Sequence, residues 1–91
     1  MFKFSKITTI YNKEGLILSE DFDNRVICDN IANKIESHYR LYPNPNVSIT
    51  TNHHGGKLMS IEISILDKLP QYQHEKLTTL RITRMEDEDD K

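Results

Sequence analysis

The stretch KLMSIEISIL, residues 57–66, constrains the fold of this chain more than any other. Met59, Ile61, Ile63 and Ile65 alternate with Ser60, Glu62 and Ser64. Successive side chains on an extended strand point to opposite faces, so a period of two predicts a β-strand with one buried and one wet face. The buried face needs a second element to cover it. From about Asp21 to Tyr39 the chain offers one. Ile27, Ile31, Ile35 and Tyr39 step by four, with Cys28 and Ala32 beside them. That spacing draws a single apolar stripe along a helix and leaves Asn30, Asn33, Lys34, Glu36, Ser37 and Arg40 to water. Ser19 or Asp21 is the expected N-cap. Glu20, Asp21 and Asp23 then fill the first turn, where the helix dipole favours negative charge. Pro43 and Pro45 in YPNPN stop the helix.

The remaining segments read as strands. FKFSKITTIYN is rich in β-branched and aromatic residues, and its change from the Phe2/Phe4 side to the Ile7 side predicts a bulge near Ser5–Lys6. NKEG supplies a turn with Gly15 at a positive-φ position, and LILS returns, making residues 2–18 a hairpin. VSITTN places Val47, Ile49 and Thr51 on one face. LDKLPQYQHEK connects to a last strand, LTTLRITRM, with room for one helical turn after Pro70. The predicted fold is α+β: an antiparallel sheet of four to five strands in the order ββαβββ, with one helix packed on one face. Residues 1–85 form a single domain, and EDEDDK, residues 86–91, is a tail expected to be disordered because it has nothing apolar to bury.

Size and charge narrow the function classes. A chain of 91 residues buries only roughly 60–65% of its unfolded surface, which leaves little room for a deep cleft and favours a homodimer. Cys28 is the only cysteine, so no internal disulfide is expected, in keeping with a reducing cytoplasm. No apolar run exceeds three residues, so neither a signal peptide nor a membrane span is predicted. The formal charge of −2 conceals a split: the tail carries five acids and one lysine, the other 85 residues eleven bases and nine acids. The body is near neutral. It is neither a wholly acidic nucleic-acid mimic nor a strongly basic nucleic-acid binder.

The chemistry-bearing residues form no catalytic set. His53 and His54 are neighbours on an extended segment and point apart, so they are not expected to share a metal ion. HHGG reads instead as a hairpin turn, with Gly55 and Gly56 supplying positive φ. GGK lacks the span and following helix of a phosphate loop, because Lys57 leads into a strand. Cys28 sits on the predicted stripe as a small core residue. No serine stands in a nucleophile elbow. No enzyme, cofactor or metal is therefore expected. Two binding readings remain. In the first, acids engage a partner protein: Glu20, Asp21 and Asp23, with Asp29 and Glu36 further along, the loop residues His53, His54 and Lys57, and the tail residues Glu86, Asp87, Glu88, Asp89 and Asp90. In the second, Lys3, Lys6, Arg81 and Arg84 make a basic sheet face for nucleic acid, with Tyr11, Tyr42 or Tyr72 stacking on bases.

The Ile/Asn/Lys/Tyr-rich wording of NRVICDNIANKIESHYRLYPNPN, the short single domain and the acidic end EDEDDK together resemble the small early proteins of T-even-type bacteriophages. The resemblance implies a cytoplasmic, non-enzymatic protein that binds a host protein, such as a restriction, defence, transcription or nucleoid factor, and blocks or redirects it. It also implies a possible role for acidic surface as a partial DNA mimic.

Overall fold

The structure, a computed structural model, describes residues 1–69 and 73–85. Five strands and one helix follow one another as β1 (Phe2–Asn12), β2 (Ile17–Ile27), α1 (Asp29–Leu41), β3 (Val47–His54), β4 (Lys57–Leu69) and β5 (His74–Arg84). The strands form one sheet in the order β2-β1-β5-β4-β3, with every neighbouring pair antiparallel. The α+β class and the antiparallel sheet of the sequence reading stand. The tail residues 86–91, and the turn expected after Pro70, lie outside the described residues.

Local chemistry explains the connections. In the β1–β2 turn, Gly15 has φ of 84°. The Asn12 side-chain oxygen accepts hydrogen bonds from the backbone N–H of Glu14 at 3.0 Å and of Leu16 at 2.9 Å. A short amide side chain thus closes the loop from inside. Gly55 and Gly56, at φ of 60° and 76°, join β3 to β4 as their positions predict. Before β3, Asn44 repeats the device of Asn12, its side-chain oxygen accepting from the Asn46 N–H at 2.8 Å.

The core lies on the face that α1 covers. Phe4 stands opposite Ile82, Ile82 opposite Ile61, and Leu80 opposite Ile63. These four-carbon and larger side chains meet Ala32 of α1, which is fully buried, with Ile35 and Tyr39 packed beside it. The helix leaves the sheet at one edge, after β2, and returns at the other, before β3. It has thirteen residues, as does β4. At about 1.5 Å per residue against about 3.3 Å, it spans roughly half the strand's length. One end of the sheet is therefore roofed and the other is bare, and the molecule measures 53 × 26 × 18 Å.

Four expectations are corrected. Residues 21–27 are strand, not helix: they pair with β1 from Thr8 opposite Asp21 to Phe2 opposite Ile27. The ladder with β1 outweighs a stripe whose first member, Ile27, is buried just as well at the end of a strand. The helix cap is consequently Cys28, not Ser19 or Asp21. Its side chain makes no capping hydrogen bond, and it is exposed and not in the core. The bulge expected near Ser5–Lys6 is also absent from a ladder that runs unbroken from Phe2 to Ile10, with the shift falling at Ile10/Tyr11. The change from Phe4 to Ile7 is a change of face: Ile7 stands on the open side, in register with Phe22.

Candidate functional site

The edge strand β2 is the most exposed regular element. Ten of its eleven residues are exposed, and only Ile27 is buried. Its neighbour on one side is β1, and its other side is the sheet's edge. Asp21, Asp23 and Arg25 stand on the helix-side face, opposite Thr8, Lys6 and Phe4 respectively. Glu20, Phe22, Asn24 and Val26 stand on the open face. Phe22 is 61% exposed and Val26 is 52% exposed, with Leu16, Ile17 and Leu18 similarly bare. An edge that combines unpaired backbone with large apolar side chains is a template for another chain.

Along the helix, a groove of about 600 Å³ opens on the helix-side face. Its charged lining comes from five elements: Lys6 of β1, Asp23 and Arg25 of β2, Lys34 of α1, Asp67 of β4 and Lys76 of β5. Four cations face two acids, over a floor that includes Phe4 and Leu80. The Arg25 guanidinium lies 4.9 Å from the centre of the Phe4 ring, an arrangement in which a cation meets the negative face of a π-system. No local pattern could have announced this groove, since its members are scattered from residue 4 to residue 80.

The acids expected to act together are separated. Glu20, Asp21 and Asp23 remain neighbours, but on a strand and not a helix terminus. Asp29 belongs to a structural cluster at the roofed end. One carboxylate oxygen lies 3.1 Å from the Met1 amine, and the other accepts from Arg84 at 3.2 Å. The N-terminal ammonium group holds the Asp29 carboxyl below its ordinary value, and Arg84 lowers it further. Glu36 pairs with Arg40 one turn on, and Arg40 also donates to the Thr51 hydroxyl at 2.9 Å. His53, His54 and Lys57 are exposed at the β3–β4 turn, on the edge away from β2. The tail acids Glu86 to Asp90 lie outside the described residues.

The basic face is divided too. Lys3 and Arg81 stand on the open face, whereas Lys6 and Arg84 stand on the helix side. Arg81 pairs with Glu62 at 3.1 Å. Arg84 is built into the fold: it lies 4.5 Å from the centre of the Phe2 ring and donates to the Leu58 carbonyl at 2.8 Å. Among the described residues, no three His, Cys, Asp or Glu side chains gather in a way that would hold a metal ion. No described helix is long and apolar enough to cross a membrane.

The architecture defines a small α+β domain with a half-roofed antiparallel sheet. No protein-family model, no curated protein and no solved structure matches the chain.

Proposed function

We propose that this protein is a non-enzymatic binding module that acts by occupying the surface of a partner protein. One observation carries the reading. Glu20, Asp21 and Asp23 form no ion pair among the described residues and share an exposed edge strand with Leu18, Phe22 and Val26. Unpaired acids beside bare apolar side chains suit a protein surface that is basic and partly apolar, because each kind of contact is then satisfied. The adjoining groove contributes Lys6, Arg25, Lys34 and Lys76. A surface of both signs is poorly matched to the uniformly negative backbone of nucleic acid. The division of Lys3, Lys6, Arg81 and Arg84 between two faces weighs the same way.

The partner class follows from the resemblance to T-even-type early proteins: a DNA-binding host protein, met in the host cytoplasm and inhibited or redirected. Asp21 and Asp23 stand about 6.7 Å apart along one face of the strand, a short row of charge that imitates phosphates in part. The near-neutral body keeps that mimicry partial. A homodimer belongs to the same reading, since it doubles the acidic surface, with two copies of Glu20 and Asp21.

The test is capture from nuclease-treated bacterial lysate with three tagged proteins: the full chain, a chain ending at Met85, and Glu20→Gln/Asp21→Asn. The reading expects a single DNA-binding protein to be retained by the full chain and lost or weakened on the charge-neutral variant. Retention of nucleic acid alone, and only before nuclease treatment, would replace it with direct nucleic-acid binding.

A further inference from the structure

We infer that two copies of this chain associate through β2, pairing edge to edge about a two-fold axis at Asn24. The inference rests on the dimeric part of the reading above and adds to it the edge, the register and the contacts; Phe22, Asp23 and Val26 then serve the dimer, and Leu18, Glu20 and Asp21 remain bare for a host protein. The sheet has two edges, β2 and β3. They are not equivalent. β3 carries no large apolar side chain as bare as those of β2, and Arg40 reaches across it from the helix to Thr51. β2 has Phe22 and Val26 bare on one face, no proline, and an unbroken ladder with β1 from Asp21 to Ile27.

Symmetry, charge and length of overlap then select a register, since axes on Leu18, Ser19 or Val26 would overlap at most five residues of β2. A two-fold axis that joins antiparallel strands in one sheet stands perpendicular to it. Each face maps onto itself, so residues of like parity meet and one residue lies on the axis or next to it. With Glu20, Asp21 or Asp23 on the axis, a carboxylate opposes its own copy. With Phe22 there, Asp21 opposes Asp23. With Arg25 there, two guanidinium groups oppose. Like charges directly opposite destabilise a strand pair. With Asn24 on the axis, no like charges meet. Asp23 opposes the partner's Arg25 and Arg25 the partner's Asp23, while Phe22 opposes Val26 twice on the open face. Seven residues, 21–27, overlap on each strand. Lys6 already stands opposite Asp23 and Arg25 over Phe4. The pairing therefore extends a row of alternating charge across the junction.

The test uses the purified full chain. Sedimentation equilibrium from micromolar to millimolar concentration is expected to give a dimer. Asp23→Arg sets Arg against Arg twice and should weaken association by roughly tenfold or more. Asp23→Arg/Arg25→Asp restores opposite charges and should recover it, with circular dichroism confirming that each variant folds. In a Cys28→Ser background, Asn24→Cys should form an intermolecular disulfide in oxidised glutathione. Directly opposed Cα atoms lie about 4.5–5.5 Å apart in antiparallel pairs, inside the range a disulfide spans. Thr50→Cys on β3 should not cross-link. A monomer at millimolar concentration, cross-linking at position 50 instead of 24, or a charge swap that fails to recover association would each overturn the inference. All of these measurements omit any host protein, so their failure and the failure of the partner reading are distinct.

Discussion

Replacing Ile63 with alanine tests whether the core lies under the helix. Ile63 is fully buried and stands between Leu80 on β5 and Ile49 on β3. The change removes three carbons, worth about 0.8 kcal/mol each when buried, or about 2.4 kcal/mol. The void they leave, about 80 Å³, adds up to about 2 kcal/mol at about 24 cal/mol per Å³ if the surroundings do not collapse. The expected loss is therefore about 2.5–4 kcal/mol. A chain of this length is stable by only about 5–13 kcal/mol, so the variant should lose about a fifth or more of its stability. Phe22→Ala is the control. It removes a larger side chain that is 61% exposed, and in the monomer it should cost less than about 1 kcal/mol. Urea unfolding followed by far-ultraviolet circular dichroism, at low micromolar concentration, measures both. The reasoning fails if Ile63→Ala costs less than about 1 kcal/mol, or if Phe22→Ala costs as much.

Three further outcomes are expected. Cys28→Asp or Cys28→Ser should raise stability by about 0.5–1 kcal/mol in the same urea assay, because Cys28 occupies the N-cap without a capping hydrogen bond; a thiol reagent should also titrate Cys28 in the folded wild-type chain. Arg84→Ala should cost about 2 kcal/mol, the sum of a hydrogen bond from a charged group and a cation–π contact, whereas Arg81→Ala should cost less than about 0.5 kcal/mol, since its pair with Glu62 is solvent-exposed on both sides. The depressed folded-state pKa of Asp29 makes its contribution present above the ordinary carboxylate value near 3.8 and lost as the pH falls through the folded-state value; the urea midpoints of wild type and Asp29→Asn should thus differ at pH 6 and converge in acid, and a gap unchanged at pH 2.5 would refute the assignment.

How much of this fold was legible depends on whether a segment is buried on one side. In β4, Ile61 and Ile63 are fully buried while Glu62 is exposed, and the alternation could be read directly. The glycines at 15, 55 and 56 were legible because a positive φ leaves few other residue types available. Residues 21–27 were not. As a helix they would have placed Ile27 one turn before Ile31; as a strand they place Phe22 and Val26 on one face and Ile27 at the end of the other. Neither period dominates, because before Ile27 no core presses on either face of β2 to enforce one. Only long-range pairing with β1 decides, and that pairing has no local signature. The same lack of one-sided burial concealed the site. The acids could be seen in the sequence, but their placement on an open edge could not, and the groove cations were invisible until β1, β2, α1 and β5 converged. The ambiguity of DFDNRVI as a pattern and its exposure as a strand are thus one physical fact. Ile27 apart, its side chains are not committed to this chain's own core, which is the condition an edge must meet to be committed to another.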